Sequence, residues 1–290
     1  REWLLLALLS TVWGTSFFFM KTAVADFTPY AIVTIRVGVG ALVIAAVSAA
    51  RGNRLPRSAA AWGEFAVMAL LNNVIPFTLI SWSMQFIDTS LGSILNATTP
   101  IFSVINVHLL TREDRLSANR VIGILLGWIG VATMIGLGAL QHIGTHIGGQ
   151  LAILGSSCSY SLAAIYGRRF RKYPPLATTT GMLSCATLLS LPATLLFGHL
   201  TDMAPSLPAL ISVLLLGMLC TGTAYIIYYR ILLSAGPTNV LLVTFLVPVT
   251  AILLGILALG ESMQPGTIIG GLLLFAGLII IDGRMFGKGS

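Results

Sequence analysis

Residues 90–113, SLGSILNATTPIFSVINVHLLTRE, and residues 238–261, TNVLLVTFLVPVTAILLGILALGE, carry one device twice. Each is an apolar run interrupted by proline, Pro100 or Pro248, and ended thirteen residues later by glutamate, Glu113 or Glu261. The offset is 148 positions, and in the same register Gly123 falls on Gly271 and Phe77 on Tyr225. Near the start of each half an offset of 147 lays Trp13 over Tyr160 and Lys21 over Arg168. The chain is therefore a tandem repeat, and the direction of the second copy depends on how many times each copy crosses what surrounds it.

What surrounds it is lipid. The 290 residues are 56 % hydrophobic and 9 % charged, with mean hydropathy +0.94, a composition that excludes a water-soluble fold. A helix needs about 20 apolar residues to cross a bilayer. Ten such runs are legible, near 3–20, 29–50, 62–83, 90–110, 120–140, 149–167, 176–197, 208–229, 238–259 and 267–282. Run 3–20 lacks a basic leader and a small-residue cleavage site and reads as a span, not as a signal peptide. The fold class expected is an all-α integral membrane protein with ten transmembrane helices and no room for a soluble catalytic domain. Five spans per repeat is an odd number, so the second repeat, residues 146–284, enters the membrane from the side opposite to the first, residues 1–140. The repeats are inverted.

Loop charge gives the same answer independently, because Lys and Arg concentrate in cytoplasmic loops. With the N-terminus inside, the inner segments hold fourteen of the sixteen basic residues, in clusters such as Arg51, Arg54 and Arg57 or Arg168, Arg169, Arg171 and Lys172. The outer loops hold Lys21 alone, and Arg36 stands inside the second span. Both termini are expected in the cytoplasm. The net charge of +7 is thus a topology signal facing the lipid bilayer, with no nucleic acid partner implied. Cys158, Cys185 and Cys220 all lie in apolar stretches and read as small buried hydrophobes, not as a disulfide or zinc set.

The polar inventory separates function classes. All nine carboxylates fall in loops or within about a turn of a helix end, so paired acids for intramembrane hydrolysis and a central proton-relay carboxylate are both disfavoured. No enzyme, cofactor or metal site is expected; His142 and His146 have helical spacing, but Gly144 interrupts them in a stretch that reads as an outer loop. Glu113 and Glu261 read as organisers of the turns that follow them. The spans carry neutral hydrogen-bonding groups instead. Asn96, Thr99, Ser103 and Asn106 follow steps of 3, 4 and 3 and share one helical face, as a cavity wall or as interhelical glue. Asn72 and Asn73 stand near the middle of the third span beside Pro76, and the counterpart stretch holds Thr221 and Tyr225. Tyr160 adds a phenol, and Trp13 sits deep in the first span; aromatic groups with polar tips suit an amphipathic solute. Tyr228, Tyr229 and Trp82, near span ends, fit an interfacial belt as well as a cavity. Arg36 needs an anion, carbonyls or water: a substrate carboxylate is one reading, snorkelling or pairing with a loop acid the other. Gly123 with Gly127 and Gly266 with Gly270 form GxxxG pairs, which leaves a homodimer open beside intrachain packing.

The Trp13-Gly14 pair, Arg36 in the second span and the twice-written proline-to-glutamate helix resemble the drug/metabolite transporter superfamily, as a tandem of two EamA-type domains. The resemblance covers the whole chain and is clearest in its second half, at 236–239, Pro248, Gly260-Glu261 and 270–277. Within the superfamily the chain looks most like YddG-type exporters of aromatic and other neutral amino acids. The resemblance implies a ten-helix fold, a central cavity between the halves, a small-molecule substrate and export by alternating access. Exporters of other metabolites or drugs, and a non-transporting scaffold or sensor of the same fold, are the alternatives.

Overall fold

The computed structural model describes residues 2–111, 117–135, 145–199, 203–235 and 242–282, which form ten helical spans. These are α1 (Glu2–Ala23), α2 (Pro29–Ala50), α3 (Ala59–Ser83), α4 (Thr89–Thr111), α5 (Ala118–Ile135), α6 (Thr145–Tyr166, extended by a 3₁₀ turn Gly167–Lys172), α7 (Pro175–Phe197), α8 (Leu207–Gly217 and Ala224–Ala235, joined by a π turn), α9 (Leu242–Leu259) and α10 (Pro265–Asp282). Seven are long and apolar enough to cross a bilayer on length and composition alone, and α9 and α10 are shorter apolar helices. In α6 the run Ser156, Ser157, Ser159 and Ser161 dilutes the hydropathy, and all four hydroxyls are buried. Hydroxyl N-caps and early prolines open several spans: Thr28 with Pro29, Ser58, and Ser206 with Pro208.

The ten helices pack as two inverted five-helix repeats. α1 lies against α8 and α9, and α6 correspondingly lies against α3 and α4. α2 packs on its own counterpart α7, and α5 on α10. Outward faces carry large apolar side chains, Leu42 at 73 % and Leu257 at 80 % exposure among them, as lipid requires. At the α5–α10 crossing the backbones nearly touch, since a Cβ on Gly130 would stand 2.5 Å from the carbonyl oxygen of Gly270. Gly123 and Gly127 face Gly277 in the same seam, and Gly266 and Gly270 stand against the Thr133 and Gly130 carbonyls, so both GxxxG pairs are used within the chain.

Three irregularities interrupt the spans, and each has a chemical cause. Pro100 has no N–H for the Asn96 carbonyl, and α4 breaks at Ala97–Thr98 between Thr89–Asn96 and Thr99–Thr111. The released carbonyl accepts instead from Thr99 Oγ1 at 2.8 Å and Ser157 Oγ at 3.3 Å. In α3 a π turn spans Leu70–Val74, just ahead of Pro76. In α8 a π turn spans Met218–Thr223 without any proline; Thr221 and Thr223 hydroxyls donate to the carbonyls five residues back, at 2.9 and 3.0 Å. The two π turns begin 148 residues apart, in the register of the repeat. Pro248, by contrast, sits inside an uninterrupted α9.

Glu261 has a role different from the turn organiser that its position suggests. α9 ends at a glycine in the left-handed region, with Gly260 at φ +68° and the Glu261 N–H donating back to Gly255 O at 2.9 Å. That turn aims the Glu261 carboxylate at the N-terminus of α4. It accepts there from the backbone N–H and hydroxyl of Thr89 (2.7 and 2.6 Å) and of Ser90 (3.0 and 2.7 Å). Asp88 occupies the N-cap position of α4 but makes no side-chain cap. Burial pushes the Glu261 carboxyl up, yet the four hydrogen bonds outweigh it and hold the group below the ordinary glutamate range. Burial first, and then the neighbouring Glu261, push Asp88 the other way. Glu113, the repeat counterpart, lies outside the described residues.

The cap gives a signed prediction. Because the folded state favours ionised Glu261, its contribution is complete above the ordinary glutamate pKa of about 4.3 and drains away as pH falls through the lower folded value. Glu261→Gln is expected to cost about 1–3 kcal/mol at neutral pH and to flatten that part of the acid dependence, read as the thermal unfolding midpoint of detergent-solubilised protein from pH 7 to 3. A midpoint unchanged by the substitution contradicts the cap.

Candidate functional site

Eight of the ten helices surround a central cavity of about 860 Å³; α5 and α10 contribute no described residue to it. Trp13, Ser16, Phe17 and Met20 come from α1, Arg36 from α2, and Met68, Asn72, Phe77 and Ile80 from α3. Ser93, Asn96, Ala97 and Thr99 come from the broken part of α4, and Cys220, Tyr225, Tyr228 and Tyr229 from α8. The wall then runs along α6 from Tyr160 through Gly167 to Arg168 and Arg171, and onto Tyr173, with Thr178 and Met182 of α7 and Thr244 and Val247 of α9. Arg168 and Arg171 are exposed, so the cavity meets solvent at that end. At the other end Phe17, Met20 and Ile80 are all buried. Beyond them Lys21 Nζ donates to the carbonyls of Met84 (2.9 Å) and Ile87 (2.8 Å) at the end of α3, beside the Glu261 cap on α4. One end is open and basic; the other is shut by helix-end hydrogen bonds.

Tyrosines dominate one wall. Tyr228 packs against Tyr229 (5.1 Å between ring centroids), Tyr225 (6.4 Å) and Trp13 (5.9 Å). The Tyr225 hydroxyl accepts from Asn72 Nδ2 at 2.7 Å and more distantly from Asn73 Nδ2 at 3.5 Å, tying the π turn of α3 to α8. Across from them Arg36 is 4 % exposed. Its guanidinium lies 3.7 Å from the centroid of the Phe77 ring; Nε donates to Thr221 Oγ1 at 3.0 Å and one amino group to Met20 sulfur at 3.6 Å. Among the described residues no carboxylate pairs with it. The pairing with a loop acid that sequence left open is absent there.

Of the residues singled out by sequence, Trp13, Arg36, Asn72, Asn96, Thr99, Tyr160 and Tyr225 line the cavity. Four do not. Asn73 is wholly buried, and its Oδ1 is left without a hydrogen bond in the described structure. Thr221 stands one layer back and holds Arg36. Ser103 returns its hydroxyl to the Thr99 carbonyl, and Asn106 donates to Ser161 and Cys158 of α6. The face inferred from steps of 3, 4 and 3 is shared across the break, since Asn96 Oδ1 accepts from Ser156 and Asn106 donates to Ser161, both on α6; the cavity takes Asn96 and Thr99 from that face, and Ser103 and Asn106 lie below it. His142 lies outside the described residues, while His146 falls in the first turn of α6 and not in a loop.

Sequence reasoning missed Phe77 as a lining group and left Tyr228 and Tyr229 open between an interfacial belt and the cavity, which they line. For Phe77 the signal was present: it falls on Tyr225 in the repeat, as Trp13 falls on Tyr160, and all four line the cavity. A cavity on a pseudo-two-fold axis takes both members of such a pair. Tyr228 and Tyr229 sit toward a span end, where composition does not separate a belt from a wall.

Comparison with known proteins agrees with this architecture. Residues 1–136 and 147–282 each match the EamA-like transporter family. The chain is 22 % identical to the "uncharacterized transporter YoaV" of Bacillus subtilis over 94 % of this chain and 93 % of that protein. It is 23 % identical to the "uncharacterized inner membrane transporter YedA" of Escherichia coli K12 (95 % and 89 %) and 24 % identical to the protein PecM of Dickeya dadantii (93 % and 89 %). A solved crystal structure superposes with a TM-score of 0.68 over 96 % of both chains at 19 % identity, a likeness of fold.

The division of α4 is testable. Asn106→Leu is expected to lower stability by about 1 kcal/mol through the lost bond to Ser161 while leaving ligand affinity of the cavity unchanged. Asn96→Leu, in the wall, is expected to change affinity. Thermal midpoints and equilibrium ligand binding on both variants separate the two roles; equal affinity losses contradict the division.

Proposed function

The chain belongs to the EamA-like transporter family, and from that premise we propose that it exports small neutral or zwitterionic metabolites, aromatic and other neutral amino acids foremost, by alternating access. The observation that carries this reading is the central cavity, open at one end, shut at the other, and built from matched residues of two inverted repeats. The open end carries Arg168 and Arg171, and the preference of basic loops for the cytoplasm supports a cytoplasmic position for that mouth and for both termini. A solute then enters from the cytoplasm. The exchange of conformation between the halves closes the basic mouth and releases the Lys21 and Glu261 contacts at the far end, exposing the same cavity outward.

Binding chemistry follows from the wall. Tyr225, Tyr228, Tyr229, Trp13 and Phe77 supply aromatic faces to an apolar side chain, and Asn72, Asn96, Thr99 and Tyr160 supply neutral groups that replace solute water. The described lining holds no Asp, Glu or His, so no group in it exchanges a proton near neutral pH.

Purified protein in liposomes loaded with labelled phenylalanine tests the reading. Saturable, protein-dependent release is expected, with a rate unaffected by an imposed pH gradient. Release no faster than from protein-free vesicles, for phenylalanine and for a panel of neutral amino acids, overturns it; acceleration by the gradient overturns the uncoupled mechanism alone.

A further inference from the structure

The charge inventory of the cavity is one-sided. Arg36 is buried in its wall, Arg168 and Arg171 stand at its mouth, and no acidic residue is among the described lining. A guanidinium offers five N–H donors, and the described residues engage Arg36 through Thr221 Oγ1 and Met20 sulfur, one hydroxyl and one weak acceptor. Phe77 covers one face of its plane. What remains is a desolvated cation with vacant donors beside a cavity that admits solutes, and taking such a charge out of water is costly unless an anion compensates it. An ammonium group entering the same space finds only amide and hydroxyl oxygens and ring faces.

Resting on the reading of this cavity as the solute site, we propose that the recognised head group is a single carboxylate held by Arg36, and that the ammonium of an amino acid is dispensable. The solute class is then the amphipathic monocarboxylate: one anionic end seated on Arg36, and an aromatic or aliphatic body laid against Trp13, Tyr225 and Tyr228. Two neighbours, Thr221 on Nε and Phe77 on one face, fix the guanidinium for this task. Thr221 holds Nε, so the edge carrying the amino groups is presented, and a planar fork matches a carboxylate with two parallel N–H···O bonds. The exposed Arg168 and Arg171 at the mouth raise the local concentration of monoanions before they enter. A dianion gains less, because its second charge finds no partner once inside.

Three molecules of one shape and different charge decide it: phenylalanine, 3-phenylpropanoate and phenethylamine, each titrated calorimetrically into the purified full chain and each followed in liposome release. Phenylpropanoate is expected to bind within about threefold of phenylalanine, and phenethylamine about ten- to a hundredfold more weakly, the range of one lost charge-assisted pair. Arg36→Gln is expected to erase the preference for the carboxylates, and Arg36→Lys, which keeps the charge without the fork, to retain part of it. Phenethylamine binding as tightly as phenylalanine overturns the proposal, and so does failure of both carboxylates to bind. The wild-type comparison decides without the variants, should either fail to fold. Carboxylate binding without release leaves this assignment standing and removes the transport reading; release of phenethylamine in preference to both carboxylates does the reverse.

Discussion

A backbone carbonyl released inside hydrocarbon must find another donor, and the rest of this structure is organised by where that demand arises. Regular helix satisfies every peptide group internally, which is why ten spans of it suffice for a chain so poor in charge. Among the described residues the spans are interrupted at two π turns, Leu70–Val74 and Met218–Thr223, and at the break Ala97–Thr98. All three lie at the cavity, which takes Asn72, Asn96, Ala97 and Cys220 from them. Irregular backbone is repaired by hydroxyls of Thr99, Ser157, Thr221 and Thr223; Thr99 lines the cavity and the other three stand outside its lining. The irregular segments thus border the cavity while most of their hydroxyl partners stand away from it, since a helix is interrupted at low cost only where polar partners already stand.

The inverted repeat supplies the frame and the helix ends supply the closure. At the shut end a cation, Lys21, meets the carbonyl terminus of α3, and an anion, Glu261, meets the amide terminus of α4, each complementing the helix dipole it touches. Under the alternating-access reading such contacts suit a reversible closure, because water can replace them, whereas the α5–α10 seam, with backbones meeting through Gly130 and Gly270, has no comparable substitute. The seam contributes no described residue to the cavity, and the helix-end contacts lie at its shut end.

Much of this was legible in the sequence because it depends on period and composition. Span number follows from apolar run length, inversion from an odd number of spans per repeat, and the residue pairs Trp13 with Tyr160 and Phe77 with Tyr225 from the offset alone. What was not legible depends on depth or on distance along the chain. Ser103 and Asn106 were assigned to the wall with Asn96 because a helical wheel gives a face and not where a cavity ends along it, and below Thr99 that face meets α6 through Asn106. Glu261 was assigned to its own turn because nothing local announces a partner 172 residues away at Thr89. Thr221 was placed in the wall, yet its hydroxyl serves Arg36 from behind, a distinction made only when the π turn rotates it away from the cavity.

The symmetry of the frame makes its violation at Arg36 informative. Trp13 with Tyr160 and Phe77 with Tyr225 line the cavity as repeat pairs, but the counterpart of Arg36 is Leu183 or Ser184, depending on which of the two offsets applies there, and neither carries charge. Motion between two conformations benefits from halves that resemble each other, because the same packing serves both states. Recognition has no such need. A solute presents one head group at a time, and a second buried cation would have to be desolvated without ever being neutralised by the same ligand. A single charge on α2, held by Thr221 of α8 and covered by Phe77 of α3, meets that need with one anchor, and under the alternating-access reading proposed above both access states would share it.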